Sequence, residues 1–252
     1  MGQEKVLIFT NDGECPAFVF TPVQQGTWPA VIFYMDGIGI RPGLLAMAER
    51  LAQGGYVVLL PDLYYRFGAY EPIDPNELAK SERGPGDIPI RTAPLIASTS
   101  NRLATEDTAG FLAYLDSRPD VAGSLVGVTG YCMGGAIALM AAGTYPDRIA
   151  AAASFHGGNL ATTSEDSPHL LAPFMKGRIY VAGASADQWC PPEMHRRLEA
   201  ALVAAGVNHQ IEIYANVIHG WTMTDIPVYD EPACERHWHA LFGLLAENLA
   251  QT

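Results

Sequence analysis

Continuous apolar runs alternate along this chain with stretches whose apolar positions recur at helical spacing, a pattern that predicts buried parallel strands covered by helices. Ala30-Val31-Ile32-Phe33-Tyr34-Met35 is one such run. It ends in Asp36-Gly37-Ile38-Gly39, and helical spacing from Leu44 to Gln53 then stops at Gly54-Gly55. Tyr56 to Leu60 reads as the next strand, ended by Pro61-Asp62. Before these, Val6 to Thr10 and Ala17 to Thr21 read as two strands joined through the turn sequence Asn11-Asp12-Gly13, an antiparallel hairpin. Beyond residue 100 the expectations are a helix from Ser100 to Ser117, a strand from Ser124 to Thr129, an Ala-rich helix over 134–143 and strands over 149–155 and 178–182. A helix over 192–205, a strand over 209–214 and a helix from Glu231 to Leu249 complete the order. The fold class is therefore α/β, a mostly parallel central sheet with helices on both faces and an antiparallel N-terminal edge. Residues 64–99 are polar and rich in Pro and Gly, too long for an ordinary connection, and read as a lid or pocket wall within a single domain over 1–252.

Composition narrows the function classes. With 49% hydrophobic and 17% charged residues the chain is globular, and its net charge of −12 would repel the phosphates that a nucleic-acid binder must neutralise. No apolar stretch has the ~20 residues of a membrane helix, and Met1-Gly2-Gln3-Glu4-Lys5 lacks a signal peptide's basic and apolar regions, so neither nucleic acid nor membrane is an expected partner. The expectations are a cytoplasmic protein, monomeric or a small homo-oligomer, acting on a small molecule. Cys15, Cys132, Cys190 and Cys234 form no CxxC pair, which argues against a zinc site or a disulfide framework; no metal or other cofactor is expected.

The chemistry centres on Gly130-Tyr131-Cys132-Met133-Gly134-Gly135, a G-x-C-x-G-G sequence between a predicted strand and a predicted helix of small residues. That is the setting of a nucleophile elbow, a turn so tight that glycine on both sides is a steric requirement. At a helix N-terminus the Cys132 thiolate gains from the helix dipole. An α/β-hydrolase places its acid after a late strand and its histidine on a loop after the last one. Asp187 and His219 occupy those places, Asp187 after Ile179 to Gly183 and His219 in Asn216-Val217-Ile218-His219-Gly220. His156, in Ser154-Phe155-His156-Gly157-Gly158, ends a strand at the same sheet edge and is a candidate pocket residue. His169, His195, His209, His237 and His239 fit structural or solvated positions better. Oxyanion donors are expected from the amides of Met133 and Gly37, and Trp221, Phe155, Tyr64 and Tyr65 are candidates for an apolar pocket wall.

Taken together these residues resemble the dienelactone hydrolase family of α/β-hydrolases, whose distinguishing feature is a cysteine elbow. Beyond the elbow, similar stretches are Pro61-Asp62-Leu63-Tyr64, Ser154 to Gly158, and His219-Gly220-Trp221 continuing to Pro227-Val228-Tyr229-Asp230. The resemblance runs through nearly the whole chain. It implies a Cys132, Asp187, His219 triad in a carboxymethylenebutenolidase-like hydrolase of an ester or lactone. In that family a glutamate after the third strand holds the resting thiol, and the matching residue here is the shorter Asp36. The family also clamps a substrate carboxylate with arginines, one shortly after the histidine, where this chain has Trp221-Thr222-Met223-Thr224; Arg66, Arg91 and Arg102 are the available substitutes.

Two other readings stay open from sequence. The same pocket in a non-catalytic α/β-hydrolase-like protein would bind a small ligand without chemistry. A redox role for Cys132 would need a resolving partner, and Cys190, three residues beyond Asp187, is the candidate.

Overall fold

In the computed structural model, which describes residues 2–75 and 87–249, eight strands pair into one sheet. They are β1 (Gly2–Thr10), β2 (Gly13–Thr21), β3 (Trp28–Tyr34), β4 (Val57–Pro61), β5 (Val121–Tyr131), β6 (Ile149–Phe155), β7 (Arg178–Ala186) and β8 (His209–Ile218). Their order across the sheet is β1-β2-β4-β3-β5-β6-β7-β8. β1 pairs with β2, and β2 with β4, in antiparallel register; every other pairing is parallel. The expected hairpin forms with Thr10 opposite Gly13, and Gly13 takes φ +133°, a conformation that favours glycine.

The central strands are mostly apolar because both sheet faces are covered, with Thr129 and Ser154 the buried polar residues among them. Val31, Ile32, Val58, Leu59 and Val128 have no exposed surface. Seven helices lie among the described residues: α1 (Pro42–Gln53), α2 (Asp87–Ala97), α3 (Asn101–Glu106), α4 (Thr108–Asp116), α5 (Met133–Thr144), α6 (Pro192–Ala204) and α7 (Glu231–Asn248). A side chain at Gly127 of β5 would meet Leu245 and Leu249 at the end of α7, whereas one at Gly130 would meet Gly134 of α5. Three residues apart on a strand means opposite faces, so α5 and α7 cover the two sides of the sheet.

Several strands run longer than expected, β7 to Ala186 and β8 to Ile218, and a 3-10 helix spans Pro168–Phe174 where His169 was expected in an irregular loop. The segment between β4 and β5 differs in two places. Residues 64–99 are not one irregular loop, since a 3-10 turn spans Tyr65–Phe67 and α2 spans Asp87–Ala97; residues 76–86 lie outside the described residues. The single helix expected from Ser100 to Ser117 is two, α3 and α4, meeting at Asp107. Ser100 caps α3 as expected, its side chain accepting the Leu103 amide at 3.1 Å. At the junction the Thr105 hydroxyl donates back to the Asn101 carbonyl (2.7 Å), and Asp107 is drawn to Arg66 (2.8 Å) and the Tyr65 hydroxyl (3.0 Å). Such local side-chain bonds compete with a continuous helical ladder.

Candidate active site

The parallel strands end on one edge of the sheet, and the loops after β3, β5, β6, β7 and β8 meet there, where ligands bind in open α/β sheets. β5 delivers Cys132 at φ 54° and ψ −114°, a left-handed conformation that a non-glycine residue holds at a cost of about 1–3 kcal/mol. Backbone bonds pin the turn. The Cys132 amide donates to the Phe155 carbonyl, and its own carbonyl accepts from Gly135 and Gly158, each at 3.1 Å. A side chain at Gly130 would overlap the Gly134 carbonyl, one at Gly134 the carbonyls of Tyr34 and Met35, and one at Gly135 the Ser154 hydroxyl and Gly157. Cys132 itself is half-buried and heads α5, so the first α5 amides, beginning with Met133, have no carbonyl acceptor within the helix.

His219 follows β8 and Asp187 follows β7, neighbouring strands. His219 Nδ1 bonds Asp187 Oδ2 at 2.8 Å, and the other carboxylate oxygen accepts the Trp189 amide at 2.8 Å. The His219 Nε2 is buried and is left to Cys132, since Nδ1 is taken by Asp187. Burial disfavours the imidazolium, but Asp187 on one side and Cys132 on the other outweigh it and raise the His219 pKa to about 10. The structure therefore brings Cys132, His219 and Asp187 together, with His219 between the other two.

His156 sits behind His219, ring centroids 5.1 Å apart, with its Nε2 2.7 Å from the Thr222 hydroxyl. It is buried, and burial together with the neighbouring His219, His237 and Arg41 pushes its pKa well below the usual value, so it is neutral. Trp221 stacks on it edge to face at 5.0 Å and is wholly buried. Tyr64 is also wholly buried; its hydroxyl donates to the Gly37 carbonyl at 2.8 Å, and burial, then Asp36 and Cys132, push its phenol up. All three side chains are buried. Phe155 is core, stacked on Tyr131, and Tyr65 points its hydroxyl to Thr10 and Asp107.

Asp36 is engaged elsewhere than at the thiol. Arg41 donates to Asp36 through Nη1 to Oδ1 (2.7 Å) and Nη2 to Oδ2 (2.8 Å), and Asp36 Oδ1 also accepts the Ile38 amide at 2.9 Å. Arg41, only 2% exposed, donates further to Asp225 through Nε (2.8 Å) and Nη2 (3.2 Å) and to the Gly39 carbonyl (3.1 Å). Its five N–H groups are thereby all used. Burial opposes the charge, yet Asp36 and Asp225 hold the Arg41 pKa above its ordinary value. Of the substitute arginines, Arg66 is held by Asp12 and Asp107 and Arg102 by Glu106, while Arg91 is exposed on α2.

Sequence reasoning missed Arg41 and Asp225, and also two exposed apolar side chains at the site. Ile96 of α2 lies 3.4 Å from the place a Gly37 side chain would take, and the Trp189 Cβ 3.4 Å from that of Gly158, beside the elbow; the two are 41% and 50% exposed. An isolated tryptophan directly after the Asp187 loop was the available signal. Cys190 is buried beside His195 (3.8 Å), and burial pushes its thiol up to about 12, which weakens a resolving role. Among the described residues no helix is long and apolar enough to cross a membrane, and no group of three or more His, Cys, Asp or Glu is placed to hold a metal ion.

Comparison with known proteins agrees with this architecture. The sequence pattern of the dienelactone hydrolase family matches residues 15–249. A candidate carboxymethylenebutenolidase of Synechocystis sp. is 26% identical over 249 residues, covering 97% of this chain and 96% of that protein. The crystal structure of a candidate dienelactone hydrolase from Klebsiella pneumoniae superimposes with a TM-score of 0.82 at 22% identity, over 98% of both chains. A dienelactone hydrolase-like promiscuous phosphotriesterase from metagenomic libraries gives 0.75 at 24% identity, also over 98% of both.

Proposed function

The chain belongs to the dienelactone hydrolase family, a family of hydrolases, and from that premise we propose that it cleaves an ester or lactone through a thioester formed on Cys132. The observation that carries this reading is His219. Its Nδ1 is spent on Asp187, its Nε2 is left to Cys132, and its charge is favoured by both neighbours.

The steps follow from the groups present. The Cys132 thiolate attacks the carbonyl carbon, a C–S bond forms, and the oxyanion is held by the amides of Met133 and Gly37. Collapse breaks the C–O bond of the leaving group, which takes a proton from His219. Water then attacks the thioester while His219 Nε2 accepts its proton, and the second collapse expels the thiolate. Asp187 fixes the histidine tautomer throughout. A thiol with pKa near 8.5 leaves a tetrahedral intermediate more readily than a simple alkoxide does, so enol and aryl esters and lactones with stabilised leaving groups are the favoured class.

A substrate carboxylate would find Arg91 exposed on α2 but the other candidate arginines occupied. Arg41, Arg66 and Arg102 are each engaged by acidic partners, so binding an anion through any of them would require displacing a carboxylate. Hydrolysis of an activated aryl ester and of a dienelactone, each by wild type and by Cys132→Ala, tests the proposal. Turnover lost in the variant supports it, and equal turnover in both proteins refutes the nucleophile.

A further inference from the structure

We infer that Arg41 is a positioning residue, which sets the loop carrying Gly37 against the loop carrying His219; the inference rests on the proposed thioester hydrolysis. The geometry is specific. Arg41 grips the Gly37 loop at two points, the Asp36 carboxylate and the Gly39 carbonyl, and the Gly39 amide in turn donates to the Asp36 carbonyl at 3.2 Å. With its remaining donors it grips Asp225, which lies six residues after His219, in a run of turns where Met223 N bonds Gly220 O (2.9 Å) and Ile226 N bonds Met223 O (3.3 Å). One rigid guanidinium thus spans two loops 184 residues apart in sequence.

The surroundings are shaped to keep it there. Arg41 precedes α1, and Gly43 in the first turn of that helix has no side chain where the Asp225 carboxylate lies; a Cβ at Gly43 would overlap both carboxylate oxygens or touch them. Lysine in place of Arg41 keeps the charge, but a single ammonium lacks the planar fork that serves two carboxylates at once. His219 has a second anchor in Asp187, whereas among the described residues the Gly37 loop is held by the Arg41 grip, the Tyr64 hydroxyl and a Tyr70 bond at the Ile40 backbone. Loosening the bridge therefore displaces the oxyanion donor more than the base.

The test uses Arg41→Lys and the milder Asp225→Asn, each checked for folding by circular dichroism and thermal melting. Two rates are compared with wild type: acylation by an activated aryl ester, which needs the oxyanion donors, and alkylation of Cys132 by iodoacetamide, which does not. Positioning predicts kcat lower by about 10²-fold, the scale of a 1 Å misplacement, with KM and the alkylation rate changed by only a few-fold. Folded variants with wild-type kcat overturn the inference, as does a parallel loss of alkylation and acylation, which marks a merely structural role. If wild type itself shows no Cys132-dependent turnover, the hydrolase reading fails, and the inference fails with it.

Discussion

The nucleophile elbow and the loop after β3 stand side by side, yet they are held in opposite ways. At the elbow the chain is fixed by backbone bonds around Cys132 and by the absence of side chains at Gly130, Gly134 and Gly135. The Gly37 loop is instead fixed by charge, through a buried guanidinium between Asp36 and Asp225. A contact between backbones tolerates no added atom but needs no distant partner. A buried ion cluster depends on every member, because removing one leaves uncompensated charge out of water.

The sharpest way to break this contrast is Gly130→Ala. Its methyl would overlap the Gly134 carbonyl, backbone that cannot swing aside, so either no soluble protein or a fall in Tm of more than about 10 °C is expected in a thermal melt. A melt within a few degrees of wild type would show that the elbow is looser than its packing implies.

Removing the base tests charge at the elbow itself. With the His219 pKa raised to about 10, the imidazolium persists through neutral pH beside Cys132, so alkylation of Cys132 at pH 6.5 should depend on His219. In His219→Gln that positive neighbour is gone, and alkylation of Cys132 at pH 6.5 should slow by about tenfold or more. The same sign governs stability: this histidine's contribution is complete below its unfolded pKa near 6.5 and is lost as pH rises through about 10. A pH profile identical in both proteins would separate His219 from Cys132.

The smallest expected effects are at the rim. Trp189→Ala should raise KM for an aryl ester by a few-fold at unchanged kcat, since a half-exposed wall contributes binding but no chemistry. Arg91→Ala should leave neutral esters unaffected, and a selective rise in KM for a carboxylate-bearing lactone would reveal an anion clamp on α2.

How far the sequence could be read follows from the same contrast. β6 occupies 149–155 as expected, and the Gly-x-Cys-x-Gly-Gly run announces its turn because its requirements are local. Arg41 is local too, but what defines it is a carboxylate 184 residues away, and no periodicity or spacing reports such a pair. Helix α2 escaped because Pro94 lies inside it and its surroundings are polar, so propensity pointed to a loop. The division at Asp107 was hidden for a similar reason, since Arg66 and Tyr65 reach it from another part of the chain. The burial of Trp221, His156 and Tyr64 depends on how loops stack, which strand and helix patterns do not describe.

The central claim is tested most directly by intact-protein and peptide mass spectrometry of His219→Ala after brief exposure to an activated acetyl ester, beside wild type and Cys132→Ala. A stalled acetyl thioester mapped to Cys132 in the histidine variant, turned over in wild type and missing in Cys132→Ala, is the predicted result. Ester hydrolysis by wild type with no acyl group on Cys132 in any of the three proteins would contradict it.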